Sequence, residues 1–306
     1  AVPLVLDLLL LLGPKVHVAS LVNQALDDYH QLLLQSDLLT ASQQEVSPDM
    51  LEQVFTEITK VAEPMGQLNL LRVLGWQMQG LMGSAGDASL GLTRIAVFDV
   101  GSIDLLVCVL FILAMMGVLW ACIYLGAIAQ VVQGSRFDWR SFLGAIAPNW
   151  ARLASYLLII IVAVLVLGLF TFLFVGIAGL WNPGLAAILA TLVIAAALWA
   201  TIYLFFTEEA IFLSEDNALR AMWNSARVVR YNFWSSVALF FIIHVLLLGV
   251  AIALRLLFMH PLGVLAAMAA NAYVATGLAT AAMIYYRQRY NLLKDVAVRK
   301  MPNGAR

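Results

Sequence analysis

Charge is what this sequence has least of. Only 11% of its 306 residues are Asp, Glu, Lys or Arg, and 63% are apolar. Water-soluble chains run near ~25% charged and ~45–50% apolar, so the shortage excludes a soluble globular domain. Cysteine is nearly absent too: Cys108 and Cys122 lie fourteen residues apart in one apolar run, nearly on one helix face. No CxxC and no CxxCH occurs, which argues against a redox dithiol or a covalently attached haem. The two cysteines read as small packing residues rather than a disulfide. The chain also lacks GxxxxGK[ST], and with it an ATP-driven engine. HExxH, GxSxG and any Ser/His/Asp set with informative spacing are missing as well. Strict apolar–polar alternation is absent from runs such as residues 157–167, and that excludes a membrane barrel.

Long apolar runs are abundant. Five begin near Ile103, Ala151, Gly184, Ser235 and Leu262, each long enough for the ~20 residues of a membrane-crossing helix. They predict helices over residues 103–130, 152–180, 184–206, 235–259 and 262–285. A sixth run, residues 1–12, is too short to cross and stops at Gly13-Pro14. It reads as the outer half of a spanning helix whose beginning lies outside this sequence. Twelve of the seventeen Lys and Arg residues fall on alternate sides of these runs: Arg136, Arg140, Arg152, then Arg220, Arg227, Arg230, then Arg287, Arg289, Lys294, Arg299, Lys300, Arg306. The turns between them are nearly uncharged, and this positive-inside pattern puts the basic loops in the cytoplasm. Residues 14–100 then fall outside, with Lys15, Lys60, Arg72 and Arg94 set against ten carboxylates.

The predicted fold class is therefore an all-α integral membrane protein: a six-helix bundle of three hairpins with the first span truncated, interfacial amphipathic helices and a helical extracytoplasmic insertion. Its segments are the end of the first span (1–13), the insertion (14–100), the five-helix bundle (101–286) and a basic cytoplasmic tail (287–306). Interfacial helices are expected near 137–150 and 215–233. The localisation implied is a bacterial cytoplasmic membrane with the C-terminus cytoplasmic.

Two of the hairpins read as copies of one unit. Phe137-Asp138-Trp139-Arg140-Ser141-Phe142 leads to Asn149-Trp150-Ala151-Arg152 and a span; Arg220-Ala221-Met222-Trp223-Asn224-Ser225 leads to Asn232-Phe233-Trp234-Ser235 and another. In the second lead-in Leu219, Met222, Trp223, Ala226, Val229 and Phe233 recur at helical spacing, with Arg220, Asn224 and Arg227 opposite. Such a helix suits the membrane interface, its Trp at headgroup level and its Arg near lipid phosphates, or it simply connects spans. Candidate headgroup contacts are Arg140, Arg220, Arg227, Arg230 and Trp223. The stretch 217–234 and the ending Ala281-Ala282-Met283-Ile284-Tyr285-Tyr286-Arg287 resemble segments of poorly characterised six-helix bacterial membrane proteins. These include the membrane region attached to some glycerophosphodiester phosphodiesterases. The resemblance implies the membrane fold without the activity, because the acidic, His-bearing metal site of the phosphodiesterase domain has no counterpart here.

In the outer segment, a helix is expected over about residues 19–39. A second begins at the cap Ser47-Pro48-Asp49, carries Leu51, Val54, Phe55, Ile58 and Val61, and ends before Pro64. A third covers residues 67–82, followed by a Gly-rich joint at 80–86.

Ionisable groups inside spans are costly and hence functional candidates. Asp7, Asp104 and Arg255 share a depth near the outer leaflet, where Arg255 could lie between two carboxylates. The alternative is that Arg255 snorkels outward and Asp104 sits at a helix start. His244 and Asn271 lie near the midplane of adjacent helices, within reach of a hydrogen bond. His244 is the one deeply placed His, so a bis-His haem is not supported and no cofactor is expected. Thr276 and Thr280 read as helix–helix glue. Glu208-Glu209 resemble a paired carboxylate site, or else a solvated cytoplasmic helix exit.

These features point first to a non-catalytic subunit or scaffold of a larger membrane complex. It would contact protein partners through its outer insertion and membrane lipids through its amphipathic helices, with no role for nucleic acid. A small-molecule or lipid transporter is the alternative. A lipid-acting enzyme is third, with only Glu208, Glu209 and His244 to carry it.

Overall fold

Apolar runs of hydrocarbon length become helices because the backbone has no other way to satisfy its own polar groups in lipid. The computed structural model describes residues 2–12, 15–35, 56, 59–60, 69–71, 74, 97–134 and 137–299. In chain order the elements are α1 (Val2–Leu12), β1 (Lys15–His17), α2 (Ala19–Gln35), β2 (Val97–Asp99), α3 (Ile103–Val132), α4 (Trp139–Trp181), α5 (Pro183–Leu204), α6 (Thr207–Ser214), α7 (Ala218–Tyr231), α8 (Phe233–Arg255), a 3-10 turn (Leu256–Met259) and α9 (Pro261–Arg299). Among the described residues five helices are long and apolar enough to cross a membrane: α3, α4, α5 running on into α6, α8 and α9. The chain is thus a helical, multi-pass membrane protein. It clusters into two compact units, essentially residues 3–117 and 118–306.

The first unit contains an element the sequence does not suggest. Strand β1 pairs in parallel with β2, Val16 opposite Phe98, across some eighty residues of chain. The start of α2 is fastened to the same place. Ser20 donates its amide to Asp99 Oδ2 at 3.1 Å and its hydroxyl to the Val100 carbonyl at 3.3 Å. Asp99 therefore supplies the acceptor that an N-terminal helix cap needs, from a distant segment. Asn69 Oδ1 accepts from the amides of Val16 and Leu71, both at 3.1 Å. Leu6, Leu71, Leu74 and Val100 are buried here. The expected helix at 19–39 corresponds to α2, with 36–39 outside the described residues. The helix expected after Ser47 is represented only by Thr56, Thr59 and Lys60, all helical. Most of the third, and the Gly-rich joint at 80–86, also lie outside the described residues.

In the second unit helix ends follow local chemistry. Gly134 takes the left-handed conformation (φ 78°) just past α3, the place where a side chain would be strained. Arg287 of α9 donates to the Val132 and Gln133 carbonyls, so a cation completes the negative end of α3. Asp138 caps α4 by accepting from the amides of Arg140 and Ser141 at 3.1 and 3.3 Å. Asn182 ends α4 and caps α5, accepting from Gly184 N at 2.9 Å, with Pro183 at the first helical position. At the α8–α9 turn a Cβ on Gly263 would lie 2.0 Å from the Leu257 carbonyl oxygen, so only glycine fits.

The helices of the second unit refine the bounds read from the sequence. The first lead-in, near 137–150, is continuous with its span: α4 runs through Pro148 for 43 residues. Proline removes the bond to the carbonyl four residues back, and that residue is Gly144, with open space around it. The second lead-in does break from its span, at Asn232, so the two copies differ. The basic residues from Arg287 onward continue α9, which runs unbroken to Arg299. The packed face of α7 is set apart from most of its apolar stripe. It buries Ala218, Ala221, Ser225, Val228 and Val229, and leaves Leu219 and Trp223 exposed.

Candidate functional site

The apolar run that forms α5 does not end cleanly. Phe205 and Phe206 interrupt it, with Phe206 at φ −94°, ψ 16°, before α6 starts at Thr207. A break of this kind frees backbone groups, and one side chain takes up two of them. Ser225 of α7, fully buried, donates to the Tyr203 carbonyl at 2.8 Å and accepts from the Phe206 amide at 3.1 Å. Thr207 turns its hydroxyl back to the Leu204 carbonyl at 2.7 Å. Phe206 is itself fully buried, stacked on Tyr285 at 5.4 Å and beside Tyr286.

The break places Glu208 and Glu209 in the first turn of α6, where the positive end of the helix favours negative charge. Both are half-buried rather than solvated. Tyr156 of α4 and Cys122 of α3 both feel the Glu208 carboxylate electrostatically. From α9, the fully buried Tyr286 lies beside Phe206, at the break itself. Asn224 Nδ2 holds Asp216 Oδ2 at 2.7 Å on the rim. Neither Glu208 nor Glu209 has an ion-pair partner among the described residues. The donor set is carboxylates and hydroxyls, hard oxygen chemistry suited to a cation or a proton.

Of the residues singled out from sequence, Asp7 is fully buried in the first unit. Asp104 is exposed in the first turn of α3, and Arg255 is exposed in the last turn of α8. Each of the latter two therefore complements its own helix end. His244 does not bond Asn271. Its Nδ1 is 2.8 Å from the Phe240 carbonyl one turn earlier, and its ring lies against Phe240 at 4.2 Å. Asn271 is buried on α9 with its amide nitrogen lacking a hydrogen-bond partner among the described residues. The polar stripe on α9 does join helices: Tyr124 of α3 donates to Thr276 at 3.0 Å. Cys108 and Cys122 are both free thiols.

The headgroup candidates are all exposed: Arg140 at the start of α4, and Arg220, Trp223, Arg227 and Arg230 on α7. The last four share the side of α7 opposite its buried face. Among the described residues, no three His, Cys, Asp or Glu side chains stand together as a metal site. What sequence reasoning did not anticipate is the break at Phe205–Phe206, held by Ser225, and the half-burial of Glu208-Glu209 just after it. The available signal was Phe205-Phe206-Thr207-Glu208-Glu209 itself, an abrupt polar step at the end of an apolar run.

The class these features define is a multi-pass helical membrane protein. No family model matches the chain, and no curated protein or solved structure does either.

Proposed function

We propose that the chain is a non-catalytic integral membrane subunit that packs against a protein partner within the bilayer. The carrying observation is the α4–α5 hairpin. In α9, 33% of the most apolar stretch is buried within the chain, against 0% in α4 and 6% in the span that starts with α5. Val164, Leu165, Val166 and Leu167 are consecutive and all exposed, so no side of α4 is covered there. Lipid can cover one side of such a hairpin; covering all of it by lipid forgoes the close helix packing that the Ala-rich α5 permits. The outer residues 14–100 would provide a second contact, and Arg220, Arg227, Arg230 and Trp223 would meet anionic headgroups. The same reading has six crossings in three hairpins, α1 contributing to the first. It puts the basic ends in the cytoplasm of a bacterium and groups the chain with the six-helix membrane proteins its sequence resembles.

The test is a photo-crosslinking residue placed at Phe172 and, separately, at Leu192, in the native membrane. One protein adduct of constant mass from both positions, retained stoichiometrically in mild detergent, is the expected result. Adducts only to lipid, with the chain migrating alone, would sink the reading. A transporter is the second reading, favoured by the broken helix at Phe205–Phe206 and its carboxylates, a construction transporters use for substrate and ion sites. Stabilisation of the isolated chain by a transported solute would favour it.

A further inference from the structure

Helices α5 and α8 touch where the first ends and the second begins. Trp199 stacks on Phe233 at 5.5 Å, and Phe205, just past α5, meets Phe240 at 5.1 Å and His244 at 6.1 Å. Farther along, neither helix covers the other. Leu192, Ile188 and Leu185 continue the Trp199 face of α5 at helical spacing, Leu248 continues the His244 face of α8, and all four are exposed. His244 stands at the mouth of this open corner, midway along the 23 residues of α8 and about 16 Å from either end.

One nitrogen of that imidazole is satisfied and the other is not. Nδ1 is 2.8 Å from the Phe240 carbonyl, which can only accept, so Nδ1 carries the proton. Nε2 of a neutral ring is then an acceptor. No described residue donates to it, and the side chain is exposed. Hydrocarbon has no donor to offer, and a ring this short cannot reach the headgroups from the middle of a span. A bare acceptor there carries the desolvation cost of a polar group with no compensating bond.

We propose that the α5–α8 corner seats a transmembrane helix of a partner protein, whose hydroxyl or amide side chain donates to His244 Nε2. The inference rests on the subunit reading and adds to it a second face and the chemistry that marks it. The exposed apolar residues run about four turns along α5, the reach of a helix rather than of a compact ligand. Acyl chains would cover those residues and leave the nitrogen bare. A Ser, Thr, Asn or Gln on the partner helix would satisfy both, since such side chains bond across helix interfaces in membranes. A wholly apolar helix would leave Nε2 unsatisfied, so the imidazole also selects among partners.

The experiment uses the full chain in its native membrane. A photo-crosslinking residue at Leu248, one turn from His244, should capture a protein of the same mass as the adduct from Leu192. His244→Phe keeps a ring and removes the acceptor, whereas His244→Gln keeps an oxygen acceptor within reach of the same place. Partner retention in mild detergent should fall about threefold to tenfold for His244→Phe, the loss of one interhelical hydrogen bond, and recover with His244→Gln. A packing role would give the reverse order, with Phe retained and Gln impaired, and that result overturns the proposal. Adducts only to lipid at Leu248, with protein adducts kept at Phe172, also overturn it and leave the subunit reading standing. Adducts only to lipid at Phe172, Leu192 and Leu248 remove both. Should His244→Phe fail to fold, as judged by a melt of the isolated chain, His244→Leu removes the acceptor in its place.

Discussion

Replacing Ser225 by alanine isolates the one contact that repairs the break between α5 and α6. The Ser225 hydroxyl satisfies the Tyr203 carbonyl at 2.8 Å and the Phe206 amide at 3.1 Å. Ser225 and Phe206 are both fully buried, so no solvent replaces the lost bonds. Leaving a buried backbone group unsatisfied costs about 1–3 kcal/mol, and two are affected. Alanine's better helix propensity returns about 0.5 kcal/mol. The net expectation is a loss of about 2–4 kcal/mol. For a unit of this size that lowers the melting temperature by roughly 5–15 °C. The measurement is a thermal melt in detergent, with Ser155→Ala as the control. Ser155 is exposed and bonds only the Arg152 carbonyl of its own helix at 2.7 Å, so its loss should move stability by less than about 0.5 kcal/mol. If Ser225→Ala melts together with Ser155→Ala, the break does not depend on the serine and the reasoning fails.

Other substitutions test other joints. Gly263→Ala drives a methyl group against the Leu257 backbone and should destabilise by about 1–3 kcal/mol, while Gly277→Ala, with open space around it, should be neutral or stabilising in the same melts. Arg287→Ala removes the cation from the end of α3 and should cost about 1 kcal/mol, with hydrogen exchange accelerated at the last turn of that helix; unchanged exchange there would argue against the clasp. Arg255→Leu distinguishes a helix-end charge from a charged cluster: a loss near 1 kcal/mol fits its exposed place in the last turn of α8, and loss of folding or assembly fits a cluster with carboxylates. Changing Arg220, Arg227 and Arg230 together to Gln should reduce retention of anionic lipid, seen by native mass spectrometry, by about 1 kcal/mol per site; equal retention would remove α7 from the headgroup layer.

What could be read from the residues alone depended on whether a feature was set by lipid or by protein. Membrane crossings are dictated by hydrocarbon thickness, so the runs from Ile103 to Leu262 announced themselves. Their ends were legible wherever a side chain caps its own turn, as at Asn182-Pro183. The lead-in at Pro148 was not, because the cost of that proline depends on its packing around Gly144. Strands β1 and β2 are three residues each and meet across the whole outer segment, leaving no local pattern to find. On α7 the usual rule inverts. Its large apolar residues Leu219 and Trp223 face outward, where an interfacial helix meets lipid, and small residues with Ser225 face the protein, a packing face that hydrophobic spacing does not mark. Glu208-Glu209 reads as a solvated exit on composition; that the pair is half-buried depends on tertiary packing around the break at Phe206, where Ser225 and Tyr286 come in from distant helices.

Helix α4 runs unbroken for 43 residues, from the aromatic cluster of Phe137, Trp139 and Phe142 to Trp181. At 1.5 Å per residue it is a rod about 65 Å long. The hydrocarbon layer is about 30 Å thick, and even a tilt of about 40° takes up less than 40 Å of that length. A substantial part of the rod must stand in the headgroups or beyond. The buried residues that hold it to its unit, Phe142, Asn149 and Leu153, all lie in about its first third, so the long remainder is left for something outside the chain to cover.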